Sequence, residues 1–276
     1  MKAIIPIAGL GTRLMPLTLH QPKALVGIVD RPMIHYVIEE VDTLGIEEMV
    51  FVISPQQTSI KKYINLMGLH ERTRFVIQRE PIGNADAIFQ ALPWLGKEPA
   101  CVFFCDDILA PAKPIMEKAV RLSEEKSAPI LILERVPMAL VSKYGIVKVR
   151  KQKGGFCRVL DIVEKPLPEK APSNLSVVGR YVLTPAVFET IKKLYSQRFS
   201  VMAKKEKEIC KAEKEVGITD ALRLYLKEGG EVYGLEFKGE RFDCGSKLGL
   251  MKAQIYFGLK HEEFGKRLNA YARRLL

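Results

Sequence analysis

The sequence contains no apolar run near the roughly 20 residues that a membrane-spanning helix needs, so no membrane partner is expected. The opening Met1-Lys2-Ala3-Ile4-Ile5 has the look of a leader, but Pro6 and Gly9 break it and Arg13 ends it, which argues against a secretory signal. Cys-x-x-Cys is missing, and the five cysteines (101, 105, 157, 210 and 244) are odd in number. The four histidines, at 20, 35, 70 and 261, have no ligand spacing. A disulfide framework and a zinc site are therefore not expected, and a reducing, cytoplasmic setting is. Repeats, low-complexity tracts and Pro/Ser linkers are also missing, which favours a single domain over residues 1–276. Aromatics make up only 8%, and no nucleic-acid recognition module is visible despite a net charge of +11. The densest basic block, residues 192–214, is interleaved with Glu189, Glu206, Glu208, Glu213 and Glu215. That pattern reads as a solvated helical face, and nucleic acid is not an expected partner. A positive balance suits small polyanionic ligands equally well.

What is present is a strand–helix alternation. Buried-strand runs at residues 3–7, 49–53, 74–78, 100–105 and 129–134 are separated by helical patterns at about 32–45, 56–66, 84–95 and 114–126. Pro81-Ile82-Gly83 reads as a turn with Asn84 as a helix cap. This order predicts an α/β fold with a doubly wound, mixed but mostly parallel sheet. The second half is less regular. Residues 145–149 and 157–163 flank Gly154-Gly155 as a hairpin. Residues 175–183 and 231–237 read as strands, and Thr219 as the cap of a helix to about Lys227.

The chain is organised around Ala8-Gly9-Leu10-Gly11-Thr12-Arg13, followed by Pro22-Lys23. A loop directly after a buried strand lies at the carboxyl edge of a sheet, where α/β proteins bind ligands. Glycines let backbone N–H groups approach a phosphate, and Arg13 and Lys23 supply fixed positive charge. A dinucleotide fingerprint needs a third Gly or Ala where Leu14 stands, and no Gly-Lys-Ser/Thr follows. The plain alternative is a strand-to-helix turn that needs glycine. Asp106-Asp107 close another buried strand, either as two turn acids or as oxygen ligands for Mg²⁺. Glu164-Lys165-Pro166 closes a third, as a surface ion pair or a ligand contact. Proline there predicts extended backbone at Lys165. Gln78 offers an amide that matches a base edge.

The loop motif, with Asp30-Arg31-Pro32-Met33-Ile34, resembles the signature of sugar-1-phosphate nucleotidyltransferases. Within them it is most similar to the bacterial-type UTP–glucose-1-phosphate uridylyltransferases (UDP-glucose pyrophosphorylases). That narrower likeness rests on Val163-Glu164-Lys165-Pro166, on Ala171 to Leu175 with Val178 to Leu183, and on Asp243-Cys244-Gly245-Ser246-Lys247-Leu248-Gly249. The resemblance covers about residues 1–262. It implies a Rossmann-like nucleotidyltransferase fold with a nucleotide-binding half (about 1–135), an embedded sugar-binding half (about 136–260) and a helical tail (261–276). It implies Ala8, Gly9, Gly11, Thr12, Gln78, Gly83 and Asp106 on the nucleotide. Gly145, Glu164, Lys165 and Gly179 fall on the sugar phosphate, Asp106 and Asp243 on Mg²⁺, and Arg13, Lys23 and Lys165 on the chemistry. Asp107 is a departure that would share or compete for the metal. Ala85-Asp86-Ala87 stands where the family has Gly-His-Ala.

The implied reaction joins UTP and glucose 1-phosphate into UDP-glucose and pyrophosphate, in a homo-oligomer. Other readings remain at this point: a different base such as thymine or a different sugar, a non-catalytic sensor, and an NAD(P)-dependent oxidoreductase.

Overall fold

Strand β1 (Lys2–Pro6) buries Ala3, Ile4 and Ile5 completely because it runs through the middle of a nine-stranded sheet. The computed structural model describes residues 1–80, 82–204 and 216–275. Pro81 of the expected turn, Cys210 and the 205–215 part of the basic block lie outside the described residues. β4 (Met49–Ile53) and β6 (Ala100–Phe103) flank β1 in parallel, and β5 (Thr73–Ile77) extends the sheet beyond β4. Side chains alternate between faces along a strand. Ala3 and Ile5 therefore pack into one apolar layer with α1 (Met33–Thr43), α2 (Thr58–Leu66) and α4 (Lys113–Lys126). Ile4 points the other way, into a layer with α3 (Asn84–Ala91), α5 (Pro185–Lys204) and α6 (Ile218–Lys227).

The fold is α/β, but the expected doubly wound, mostly parallel sheet is corrected. β11 (Leu175–Leu183) runs antiparallel to both β6 and β8 (Ile130–Arg135). β8 then pairs in parallel with β12 (Val232–Glu236), and β12 pairs antiparallel with β10 (Cys157–Glu164). β10 forms the expected hairpin with β9 (Gly145–Lys151), and β9 returns to β11 through Ser176 opposite Ile146. Strands β8 to β12 thus close into a five-stranded ring instead of continuing an open sheet. The physical reason lies in the connections. A parallel neighbour needs a long crossover, usually helical, and no α-helix separates β9, β10 and β11.

Two pairs of short strands that carry no clear sequence signal complete the scaffold. β7 (Asp107–Ala110) pairs antiparallel with β13 (Glu240–Asp243), which sets Asp107 directly opposite Asp243. Gly27–Ile28 (β2) pairs with Arg31–Pro32 (β3) ahead of α1. Ser246 caps α7 (Lys247–Leu259) by accepting a hydrogen bond from the Gly249 N–H, and α8 (Gly265–Leu275) closes the described chain. Among the described residues no helix is long and apolar enough to cross a membrane.

Candidate active site

A cleft of about 1110 Å³ opens where β1 and β6 end. Ala8, Gly9, Arg13, Lys23, Gln78, Gly83, Asp106, Gly145, Glu164, Lys165, Gly179 and Asp243 all line it. Residues nominated from stretches far apart in the sequence are thus gathered at one cleft. Gly11 and Thr12 are not on its lining. Gly11 sits in the left-handed region (φ +65°), and a Cβ there would lie 2.9 Å from the Lys23 Cβ. Its lack of a side chain lets the loop pack on Lys23. Gly9 differs: a Cβ there would meet nothing within 4 Å. Packing does not demand a glycine at that point, and the space before its backbone is open.

Four charges meet at one lip. The Lys23 ammonium donates to Asp106 Oδ2 at 2.7 Å. The Arg13 guanidinium spans two carboxylates, 3.7 Å from Asp106 Oδ2 and 3.5 Å from Asp243 Oδ2. Burial works to raise the Asp106 pKa, but Lys23 and then Arg13 outweigh it and hold the carboxyl below its ordinary range. Burial likewise opposes the charge on Lys23, and Asp106 more than restores it, so that ammonium is held above its ordinary range. Asp243 goes the other way. Burial, then the neighbouring charge of Asp107, raise it against the pull of Arg13. Gly245 makes this crowding possible: a Cβ there would lie 2.5 Å from Asp106 Oδ2 and 2.6 Å from Arg13 Nη2.

Asp107 also lines the cleft and is tied to the scaffold. Arg241 donates to its Oδ1 through Nε at 2.7 Å, and the Gly179 N–H donates to its Oδ2 at 2.8 Å. Arg241 also donates to Glu134 at 3.0 Å and lies over the Tyr144 ring at 4.8 Å. Each Asp107 oxygen thus accepts a hydrogen bond from the scaffold, which fixes the carboxylate beside Asp243. The same bond commits the Gly179 N–H, although Gly179 still lines the cleft. A Cβ on Gly179 would press within 2.6 Å of Asp107 and 2.8 Å of the Phe104 Cβ, so glycine is needed there for packing.

The hairpin side of the cleft carries Glu164 and Lys165. Lys165 Nζ lies 3.4 Å from Glu164 Oε1, and both side chains are exposed. Lys165 adopts φ +45°, not the extended conformation read from Pro166. Its N–H donates to the Tyr144 carbonyl as β10 ends, which holds the backbone in that less favourable region. The turn lets two consecutive side chains reach the same cleft. Thr219, read as a helix cap, is instead the second residue of α6, whose cap position is Gly217. Its hydroxyl donates to Glu164 Oε2 at 3.0 Å. A threonine near a helix start reads as a cap in any sequence, so nothing local marks this role. Asn84 likewise is not the cap of α3. Gly83 occupies that position, and the Asn84 Oδ1 accepts the Ile218 N–H at 2.7 Å. Gly83 has φ +117°, and a Cβ there would collide with the Val216 backbone. Lys143 and Lys252, not singled out from the sequence, add positive charge to the lining.

The model for the nucleotidyl transferase family matches residues 2–256. Among curated proteins, UTP–glucose-1-phosphate uridylyltransferase 2 of Streptococcus pyogenes is 36% identical over 98% of this chain and 94% of its own length. UTP–glucose-1-phosphate uridylyltransferase 1 of the same species is 34% identical over 98% and 92%. Among solved structures, a UDP-glucose pyrophosphorylase complexed with UDP-glucose superposes with a TM-score of 0.81 at 32% identity, covering 94% of this chain and 99% of that one. The UDP-glucose pyrophosphorylase of Acinetobacter baumannii gives 0.82 at 30% identity, covering 100% and 99%. A family model that matches residues 2–256, with relatives 36% identical over 98% of the chain, shows that the chain belongs to the nucleotidyl transferase family.

Proposed function

We propose that this protein forms UDP-glucose and pyrophosphate from UTP and glucose 1-phosphate. The observation that carries the proposal is the meeting of Arg13, Lys23, Asp106 and Asp243 at the lip formed by the β1 loop and the end of β6. The S. pyogenes relatives carry the name of that activity, and the neighbouring solved structures include one with UDP-glucose and one described as UTP-bound.

Glucose 1-phosphate is already an anionic nucleophile near neutral pH, so no general base is required. What the reaction lacks is alignment and charge neutralisation at the α-phosphorus. Lys165 seats the attacking phosphate while Glu164, held by Thr219, accepts hydrogen bonds from sugar hydroxyls. Lys23 meets the charge that grows on the α-phosphoryl oxygens. Arg13 and the amides around Gly9 stabilise the departing pyrophosphate. One P–O bond forms to the sugar phosphate as the α–β bridge breaks, so the α-phosphorus inverts.

Asp106 and Asp243 fit a hard divalent cation such as Mg²⁺. They present oxygen donors close enough to share one guanidinium, and Asp243 is a carboxylate crowded by like charge. Among the described residues no third His, Cys, Asp or Glu joins them, which leaves the remaining positions to phosphate oxygens and water. When bound, the cation neutralises phosphate charge and helps align the two substrates. A cytoplasmic homo-oligomer belongs to the same proposal.

The test crosses four nucleoside triphosphates and dTTP with glucose, mannose, galactose and N-acetylglucosamine 1-phosphates, with and without Mg²⁺. We expect pyrophosphate release to be strongest for UTP with glucose 1-phosphate. No release from any pair would leave a sugar-nucleotide sensor, and preference for dTTP would make the protein a thymidylyltransferase.

A further inference from the structure

We infer that Asp86 fixes the orientation of the Gln78 amide, so that the cleft selects a base with an N3–H, uracil or thymine, over cytosine. The inference rests on the reading in which Gln78 meets the base. Asp86 is 2% exposed and lies in the first turn of α3. Its Oδ2 accepts from Gln78 Nε2 at 2.6 Å, and its Oδ1 accepts from Gln90 Nε2 at 3.0 Å. The Tyr195 hydroxyl on α5 also hydrogen-bonds it. All three donors are uncharged.

The consequence falls on Gln78, which lines the cleft beside Gly83. Its Nε2 has a second acceptor, the Gly83 carbonyl at 3.0 Å. Both amide hydrogens therefore point at acceptors. Turning the amide over would press Oε1 against a carboxylate and a carbonyl, an acceptor against two acceptors in a buried place. Oε1 is then the atom left for a ligand, and it can only accept. Uracil and thymine bring a donor, N3–H, to that atom. Cytosine brings a lone pair at N3, and the pairing fails. A neutral amide at position 86 weakens the asymmetry, because it can donate to a reversed Gln78 and only the Gly83 carbonyl then opposes the reversal. Asp86 stands where the family that this chain resembles has the His of Gly-His-Ala.

The test uses the full chain as wild type, Asp86→Asn and Gln78→Ala. Pyrophosphate release is measured with UTP, dTTP and CTP at saturating glucose 1-phosphate and Mg²⁺. The readout is the ratio of kcat/KM values within each variant, which a loss of folded protein does not move. For Asp86→Asn we expect the UTP-to-CTP ratio to fall about 10- to 100-fold, through greater use of CTP. The UTP-to-dTTP ratio stays where it was, since both bases carry N3–H. Asp86→Ser, smaller and neutral, supplies the same ratio if the Asn variant does not fold. A lowered ratio in Gln78→Ala with none in either Asp86 variant overturns the inference and leaves Gln78 reading the base unaided. An unchanged ratio in Gln78→Ala overturns the base-contact reading itself. A wild type that uses CTP as well as UTP overturns the inference directly.

Discussion

Arg180 on β11 and Glu40 on α1 form a buried ion pair beside the end of β6, with the Arg180 Nη2 donating to Glu40 Oε2 at 2.7 Å and Nε at 3.0 Å. Arg180 is 0% exposed and Glu40 6%. The same guanidinium donates to the Phe104 carbonyl at 2.9 Å, two residues before Asp106. It therefore ties α1 to the strand end that presents a proposed metal ligand. Removing one partner leaves a buried charge alone, which typically costs about 3–5 kcal/mol. We expect Arg180→Met or Glu40→Gln to lower the unfolding free energy by about that amount in urea titrations. Replacing both by apolar residues should recover most of the loss. A single variant as stable as the parent would show that the pair contributes nothing.

Residues read from local pattern and those found only in space divide on physical grounds. The Asp106-Asp107 pair stood out because an apolar run of strand length stops abruptly at acids, with Asp106 chosen between them by the family resemblance, and Arg13 and Lys23 stood out because they bracket glycines after such a run. The hairpin of β9 and β10 was legible from Gly154-Gly155. The pairing of Asp107 with Arg241 spans 134 positions, and nothing in the sequence around either residue reports it. Burial periodicity tells which face of a strand is covered but not by which partner. The closure of β9 onto β11 was therefore invisible, as was the bond from Thr219 to Glu164. Lys165 shows the reverse case. A sound local rule about the residue before proline gave the wrong backbone, because the Tyr144 carbonyl and the end of the strand overrule it.

Gly245 offers a variant that separates folding from function. The atoms that an added Cβ would strike are the ends of Asp106, Arg13 and Asp243, which move at little cost to the fold. Those same atoms are the ones the reaction needs in place, and a displacement near 1 Å costs about 10²-fold in rate. We expect Gly245→Ala to keep its melting temperature and lose about two orders of magnitude in kcat/KM. Equal losses in both would mean that the glycine serves the fold instead.

The cysteines give a pH test. Cys101, Cys105 and Cys244 are at most 1% exposed. Burial pushes the thiols of Cys101 and Cys105 up to about 12, and raises Cys244 in the same direction. An ordinary thiol titrates near 8.5. Because the folded values lie above the unfolded ones, the stability these groups contribute is full below about pH 8.5 and is lost as pH rises toward 12. With a thiol-reactive disulfide reagent at pH 8 we expect these three to stay unlabelled in the folded protein. Cys157 should react slowly, being half-buried with its pKa raised by burial. All five should react in guanidinium. Rapid native labelling of Cys105 would show that the strand behind Asp106 opens readily.

Arg13 carries the sharpest test of the proposed chemistry. Its side chain is 63% exposed, and its two carboxylate contacts are long, at 3.5 and 3.7 Å. Pairs that exposed contribute about 0–1 kcal/mol to stability, so the fold does not need them. A guanidinium held in the cleft without that structural purpose is available to a charge that develops during reaction. Removing one such contact typically slows an enzyme about 10²- to 10³-fold. We expect Arg13→Ala to unfold at the same urea concentration as the parent. Its kcat for pyrophosphate release should fall about 10²- to 10³-fold. Arg13→Lys should recover part of the rate, since it restores charge without the two-pronged geometry. An unchanged kcat in the alanine variant removes Arg13 from the scheme and shifts the stabilisation of pyrophosphate to the loop amides and the other lysines of the cleft.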